Sequence, residues 1–163
     1  MRNRKPSKTI VKYASDILDS GWFEAAKHIP HHPGVSVAEH SLSVAEEAAQ
    51  LCAWLKRRGI SVNERDVVRS ALLHDIAMVE DEVHDAHSWV KAYTHPVRSA
   101  EISESEFGAN EVQTDAIRRH MWPICMIPPR HKTGWVVLLS DKKSSVREVA
   151  RHWNGWRKRK NRT

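Results

Sequence analysis

The sequence predicts an all-α protein, a single-domain helical bundle of about six helices. Helical periodicity of apolar residues dominates along the chain, and the apolar–polar alternation that is typical of strands is nearly absent. A length of 163 residues fits one domain with a substantial core. Because no internal repeat or low-complexity segment divides the chain, we expect one domain over 1–163, with its core at about 33–152 and a short basic tail at each end.

Capping residues and glycines indicate where the predicted helices begin and end. Ser36 and Glu39 form a capping box ahead of an apolar face, and Asn63 and Asn110 suit N-cap positions because their side-chain oxygens can accept from free backbone N–H groups. Glycines are expected at the ends of helices, at Gly21, Gly59 and Gly108. The helices are therefore expected at about 7–20, 36–58, 63–80, 94–107 and 110–120, with the last one beginning near Thr133.

The segments between these helices are expected to be irregular. The sequence "WFEAAKHI" is read as a short aromatic turn that ends at Pro30, and a long loop is expected from Asp81 to Tyr93. Thr94 with Pro96 then opens the fourth helix. A proline-rich loop is expected over 121–132. The β-branched run "WVVLL" in the last segment is assigned to a helix, because a lone strand among helices would have no partner.

Composition and charge narrow the class of protein. No apolar run approaches the roughly 18 residues needed to span a bilayer, and the first residues lack the apolar centre of a signal peptide, so we expect a cytoplasmic protein without a membrane partner. Cys52 and Cys125 lie far apart, which argues against a disulfide framework and a cysteine-type zinc site. The net charge of +6 is concentrated at the chain ends, where solvated tails are the simplest explanation and nucleic acid is an alternative partner.

Histidine and aspartate residues occupy helix positions where apolar residues would be the default. On facing helices of a bundle, such groups can converge on metal ions. Taken singly, each could instead be a hydrogen-bonded core residue, and Asp141 could pair with Lys142, Lys143 or Arg147. Imidazole and carboxylate without thiolate suit Fe, Mn, Co, Ni or Zn. The candidate ligands are His40, His74, Asp75, His95, His120 and Asp141.

The adjacent pair His74 and Asp75 is the most informative of these candidates. It interrupts the apolar stretch "SALLHDIAMVE", and an ionised carboxylate buried there needs a compensating partner. On a helix, adjacent side chains point about 100° apart, so His74 can bind one ion while Asp75 reaches across two. The pair therefore predicts a bridging carboxylate deep in the third helix.

The order His40, His74-Asp75, Asp141 resembles the HD superfamily of metal-dependent phosphohydrolases. The blocks "HPGVSVAEHSLSVA", "SALLHDIAM", "YTHPVRSAE", "IRRHMWPICMIPPR" and "GWVVLLSDK" are similar to successive blocks of small bacterial HD proteins with two additional histidines. The resemblance implies an HD-domain fold with a binuclear site. It implies that one metal is held by His40, His74, Asp75 and Asp141, and a second by Asp75, His95 and His120. The resemblance is weakest in the loop "VEDEVHDAHSWVKAY".

The function implied by this resemblance is the hydrolysis of a phosphate ester or anhydride of a small molecule, such as a nucleotide. With one or two divalent ions bound, a bridging hydroxide would attack phosphorus in line. Asp75 and Lys142 are the candidate catalytic residues, and Lys142 is also the first candidate for a phosphate contact. Further substrate-binding candidates are Arg98, Arg130 and Lys132, with His31 and His32 as possible proton donors at the mouth of the site.

Two other functions remain open at this point. Some HD proteins with the same fuller ligand set oxidise C–H bonds with O2, so the resemblance also allows a di-iron oxygenase. The basic tails allow a nucleic-acid- or ligand-binding module with a degenerate site. The charged residues around His84 and His87 are read as a solvated loop and are left out of the site.

Overall fold

A computed structural model describes residues 5–80 and 88–160. Helices dominate both stretches, which confirms the predicted all-α class. The elements are α1 Lys8–Leu18, α2 Gly21–Ala26, β1 Pro30–His32, β2 Val35–Ser36, α3 Val37–Lys56, α4 Glu64–Leu73, a 3₁₀ turn Ile76–Val79, α5 Ser88–Phe107, α6 Glu111–Arg118 and α7 Lys132–Lys160. Among the residues described, no helix combines the length and the apolar character needed to cross a membrane.

The helix α4 lies at the centre of the bundle. It packs against α1, α3, α6 and α7, and its residues from Asp66 to Leu73 are all buried. Leu72, Leu73 and Ile76 are almost completely shielded from solvent, and they join the apolar side chains of the surrounding helices in one core. Burial of each such side chain contributes roughly 1.5–3 kcal/mol, so the segment that carries His74 and Asp75 is firmly anchored.

The predicted starts of three helices are confirmed by their capping contacts. At α3, the Ser36 hydroxyl accepts from the Glu39 backbone N–H while the Glu39 carboxylate accepts from the Ser36 N–H. The Asn63 side chain accepts from two backbone N–H groups at the start of α4. Asn110 caps α6 in the same way. These contacts join residues that are close in sequence, so the sequence alone could identify them.

The segment "WFEAAKHI" is not simply a turn, contrary to expectation. Its first part forms α2, whose N-cap Ser20 accepts from the Phe23 N–H, and the helix buries Phe23 and Ala26 against the core. Gly21 is therefore the first residue of α2 and not the C-cap of α1, which ends at Leu18. This additional helix accounts for the difference between the expected six helices and the seven α-helices of the described residues.

A short antiparallel hairpin was also not predicted. Strands β1 and β2 pair through Pro30 and His32 opposite Ser36 and Val35, with an irregular register between Pro30 and His32. Gly34 adopts φ +78° in the connection, a conformation that favours glycine. Strands of three and two residues are too short to show alternation in the sequence.

Helix α5 begins earlier than predicted. It starts at Ser88, so Thr94 does not open it and Pro96 lies in its interior. Pro96 is buried in the protein, although proline inside a helix costs roughly 3 kcal/mol. The expected loop Asp81 to Tyr93 is therefore helical from Ser88 onward. Its first part, 81–87, which includes His84 and His87, lies outside the described residues.

The predicted continuous helix through His74 and Asp75 is wrong. Helix α4 ends at Leu73, His74 is its C-cap, and Asp75 has non-helical angles of φ −114° and ψ 16° before the 3₁₀ turn. The turn docks on α5, where the Ala77 N–H donates to Ser99 Oγ at 3.1 Å. The pair therefore lies at a junction between two helical segments and not deep within one. The run "WVVLL", in contrast, is helical in α7 as predicted.

Candidate metal centre

Asp75 lies at the centre of a group of histidines. Its side chain is 5% exposed, and Nε2 atoms of histidines approach both of its oxygens. Toward Oδ2 the distances are 2.9 Å for His31, 3.1 Å for His74 and 3.9 Å for His40. Toward Oδ1 they are 3.2 Å for His95 and 3.4 Å for His120. The two carboxylate oxygens thus face two different sets of imidazoles.

The first set joins α3, the end of α4 and α7. Ligand atoms of His40, His74 and Asp75 lie within 4.8 Å of one another. Asp141 Oδ1 adds a fourth contact, at 3.2 Å from His40 Nε2 and 3.9 Å from His74 Nε2. His74 donates from Nδ1 to the Ala71 carbonyl at 2.8 Å, so a neutral His74 presents the lone pair of Nε2 to the group.

The second set joins the same carboxylate to α5 and to the end of α6. Ligand atoms of Asp75, His95 and His120 lie within 4.8 Å of one another, and the two Nε2 atoms are 3.1 Å apart. His120 donates from Nδ1 to the Ile117 carbonyl at 2.6 Å, which again leaves Nε2 directed at the carboxylate. Burial lowers the pKa of His120, so its neutral form, the one that binds metals, is favoured.

The pKa shifts of the first set show which charge its residues stabilise. Burial lowers the pKa of His40, but the carboxylates of Asp141, 3.2 Å from Nε2, and of Glu148, 3.0 Å from Nδ1, outweigh burial and raise the pKa to about 10. Burial raises the pKa of Asp75, but the neighbouring histidines, with His74 first, lower it far more. Burial likewise opposes ionisation of Asp141, but the neighbouring His40 holds the pKa of Asp141 well below the usual range. The carboxylates therefore stabilise a positive charge within the first set.

Unsatisfied buried atoms show that the residues fit a divalent cation. His40 Nε2, His74 Nε2 and Asp75 Oδ1 are all shielded from solvent and make no hydrogen bond within the described part of the chain. An unpaired buried polar atom costs about 1–3 kcal/mol. A cation at the first set would satisfy the two histidine nitrogens and would replace the proton that the carboxylates favour on His40, and a cation at the second set would satisfy Asp75 Oδ1. Imidazole and carboxylate donors suit a transition metal ion.

Glu148 is a residue of this region that sequence reasoning missed. Its carboxylate is buried, and Oε2 accepts from His40 Nδ1 at 3.0 Å. It lies seven residues after Asp141 on α7, about two helical turns, so both carboxylates are on one face of the helix. That spacing is the signal in the sequence that could have indicated it. His31, considered only as a residue at the mouth, stacks on His40 with ring centroids 4.0 Å apart.

The candidate substrate-binding cations differ in their positions. Lys142 lies beside the histidine group, with Nζ 2.9 Å from Asp141 Oδ2. Arg98 instead forms a bidentate pair with Glu80 and also contacts Glu101. Arg130, two residues before α7, and Lys132, its first residue, are exposed, and no contact among the described residues joins their side chains to the histidines. Only Lys142 is therefore brought to the centre in this structure.

Asp141 forms one of the three ion pairs that its sequence neighbours allowed. Of the three cations, Lys142 is the one in contact with it. Lys143 and Arg147 instead pair with the buried Glu47 on α3. The Ser145 hydroxyl donates to Asp141 Oδ1 at 3.1 Å. Asp141 thus keeps its position facing His40 while its two cationic neighbours tie α7 to α3.

Comparison with known proteins adds one result to this geometry. The family profile described as "HD domain" matches residues 37–152. No curated protein and no solved structure shows a significant match to the chain. All six predicted ligands and Glu148 lie within the matched segment, whereas His31 and His32 lie before it.

Proposed function

Because the chain belongs to the HD domain family, whose members are generally metal-dependent phosphohydrolases, we propose that it hydrolyses a phosphate ester or anhydride of a small molecule such as a nucleotide. The observation that carries this proposal is the position of Asp75. One carboxylate oxygen faces His40 and His74, and the other faces His95 and His120. A single carboxylate between two sets of imidazoles can contribute one oxygen to each of two ions, which supports a binuclear centre.

In the proposed centre the ligands divide between two ions. His40, His74 and Asp141 would hold the first ion, and His95 and His120 the second, with Asp75 shared between them. Divalent ions at such sites, when bound, activate water for attack on phosphorus and neutralise charge on the phosphoryl oxygens. Fe, Mn, Co, Ni and Zn are all compatible with these donors.

The protein's own residues would position these ligands and the substrate. Hydrogen bonds from His74 Nδ1 to Ala71 and from His120 Nδ1 to Ile117 fix both rings on carbonyls of the adjacent helix turns. Ligands held in this way are oriented before an ion arrives. Lys142 is 42% exposed on its side chain while contacting Asp141, so its ammonium group can bind a phosphate oxygen that enters from solvent.

The proposal is tested by reconstituting the metal-free protein with each candidate metal. Phosphomonoesters, cyclic nucleotides and dinucleoside polyphosphates are incubated with the Mn, Co, Fe, Ni and Zn forms, and product release is measured. We expect metal-dependent hydrolysis of at least one class, abolished in Asp75→Asn and retained in Asp19→Asn, which alters an exposed residue of the α1–α2 connection. Absence of hydrolysis with every metal and every substrate class would contradict the proposal.

The same reconstitution also tests the oxygenase alternative. The ligand set is shared by both chemistries, so the discriminating measurement is O2 consumption by the iron form. We expect hydrolysis to proceed equally in air and under anaerobic conditions. Substrate-dependent O2 uptake that is confined to the iron form, without phosphate release, would replace hydrolase by oxygenase.

A further inference from the structure

A third group of potential metal ligands lies beside the two sets around Asp75. It consists of His31 and His32 on β1 and Glu148 on α7, which we call the hairpin cluster. One ligand atom from each of these residues, together with one from His40, lies within 4.8 Å of the others. The side chains of His31, His32 and Glu148 are 11%, 25% and 5% exposed. The cluster is therefore largely closed to solvent.

The hairpin brings two consecutive histidines to the same side. Neighbouring residues of a regular strand point to opposite faces. The register of β1 is irregular between Pro30 and His32, and the ring centroids of His31 and His32 are only 4.1 Å apart. An irregularity of this kind redirects a side chain that would otherwise face away. The hairpin thus directs both imidazoles toward His40 and Glu148.

Each residue of the hairpin cluster has a buried atom without a hydrogen bond. His31 donates from Nε2 to Asp75 Oδ2, because a carboxylate only accepts, so a neutral His31 has a bare lone pair at Nδ1. Glu148 Oε2 accepts from His40, which leaves Oε1. His32 Nε2 is 3.9 Å from Glu148 Oε2, too far for a hydrogen bond. His31 Nδ1, His32 Nε2 and Glu148 Oε1 are all shielded and unpaired within the described residues.

We propose that the hairpin cluster binds a third divalent cation of the Zn²⁺ type, through His31 Nδ1, His32 Nε2 and Glu148 Oε1. Two imidazoles and one carboxylate are a recurrent zinc ligand set, and tetrahedral ligands at 2.0–2.2 Å from zinc lie about 3.4 Å apart. One ligand atom of each of these residues lies within 4.8 Å of the others, so the side chains are close enough to approach that spacing by small rotations. Burial and the neighbouring His31 and His40 lower the pKa of His32, so its neutral form is available for coordination.

The third ion would act on the centre described above, and the proposal rests on the proposed function in that respect. His31 contacts the shared Asp75, and Glu148 contacts His40. A cation bound to His31 and Glu148 would therefore hold in place the two residues that contact Asp75 and His40, which are ligands of the first ion. It also fastens the hairpin, which lies before the segment that matches the family profile, onto α7.

Metal stoichiometry tests this proposal separately from the catalytic function. The metal-free full-length protein is incubated with Zn²⁺, desalted and analysed for zinc per chain, together with His32→Gln and with His28→Gln, an exposed histidine of the same region. We expect three equivalents in the wild type and in His28→Gln, and two in His32→Gln. Two equivalents in all three proteins would overturn the third site and leave the binuclear proposal intact. Fewer than two in the wild type would overturn both.

Anomalous diffraction of wild-type crystals at the zinc edge provides a second measurement that does not depend on how the variants fold. A peak between His32 and Glu148, separate from the peaks at Asp75, is expected. Its absence in crystals that show zinc at Asp75 would overturn the third site alone.

Discussion

Glu148 Oε2 lies 3.0 Å from His40 Nδ1, while the other nitrogen of the same ring faces Asp141 at 3.2 Å. The imidazole is therefore held at both edges by carboxylates from α7. A histidine ligand that donates its second N–H to a carboxylate is fixed in tautomer and orientation and becomes a stronger base. Glu148 is thus placed to orient His40 toward the first ion of the proposed centre.

We predict that Glu148→Gln weakens metal binding without preventing folding. The amide can still accept from His40 Nδ1, but the negative charge is lost, and such changes typically cost 10- to 100-fold in metal affinity. The measurement is the metal concentration that restores half of the hydrolytic activity to the metal-free protein. Glu104→Gln, at an exposed position on α5, is the matched control.

A comparison with His32→Gln separates this role from that of the third ion. Glu148→Gln removes both the partner of His40 and a ligand of the hairpin cluster, whereas His32→Gln removes only the ligand. We expect the larger shift in the activating metal concentration for Glu148→Gln. Equal activation curves for Glu148→Gln and Glu104→Gln would show that the charge of Glu148 does not act on His40.

The sharing of Asp75 predicts different metal losses in two variants. Asp75→Ala removes a ligand from both sets and is expected to lose two ions relative to the wild-type count. His120→Ala removes a ligand from the second set and is expected to lose one. Elemental analysis after desalting measures both values, and circular dichroism shows that the variants are folded. An unchanged metal content in Asp75→Ala would refute the binuclear assignment.

The sequence was sufficient where the deciding contacts are local. The capping box of Ser36 and Glu39 joins residues three apart, so it was readable without a fold. The end of α4 could not be predicted in this way. The non-helical Asp75 is followed by a turn that packs on Ser99 of α5, and this contact joins residues far apart in the chain. The identity of an element can follow from periodicity, but its last residue here depends on tertiary packing.

The same distinction applies to the candidate site. His40 and Asp141 could be selected because polar residues at apolar helix positions are unusual. Glu148 is less conspicuous, since glutamate is common on helix surfaces: the seven-residue spacing places it on the same face as Asp141, but its contact with His40 depends on the packing of α7 against α3. Arg98 lies one helical turn after His95 and looked suited to phosphate, but in the fold it is engaged by Glu80. Whether a cation is free for substrate depends on partners from other elements.

Lys142 and Lys143 offer a matched pair for testing the phosphate contact. Lys142 Nζ lies 2.9 Å from Asp141 Oδ2, whereas Lys143 is directed at Glu47 on α3. We predict that Lys142→Ala lowers kcat/KM by about 10- to 100-fold, since a hydrogen bond to a charged group contributes roughly 1.5–3 kcal/mol. Lys143→Ala is expected to retain activity. Equal activity of both variants, with metal content unchanged, would remove Lys142 from the proposed mechanism.

The contact between α3 and α7 predicts a pH dependence of stability that is separate from the metal centre. Glu47 is 7% exposed and pairs with Lys143 at 2.5 Å and with Arg147. Burial raises the pKa of Glu47, but hydrogen bonds from Lys143 and Arg147 outweigh burial and lower it from its usual 4.5. Because the folded pKa is depressed, the stabilisation is present above about pH 4.5 and is lost as the pH falls through the folded value.

Glu47→Gln is therefore expected to lower the free energy of unfolding by about 1.5–3 kcal/mol at pH 7, the range for hydrogen bonds to charged groups. The difference from wild type should shrink as the pH is lowered from 7 to 3, because protonation of Glu47 removes the same charge from the wild type. Urea unfolding of the metal-free proteins measures this difference at each pH, with Glu104→Gln as the exposed control. A difference that stays constant down to pH 3 would show that the ionised form of Glu47 does not stabilise the contact between α3 and α7.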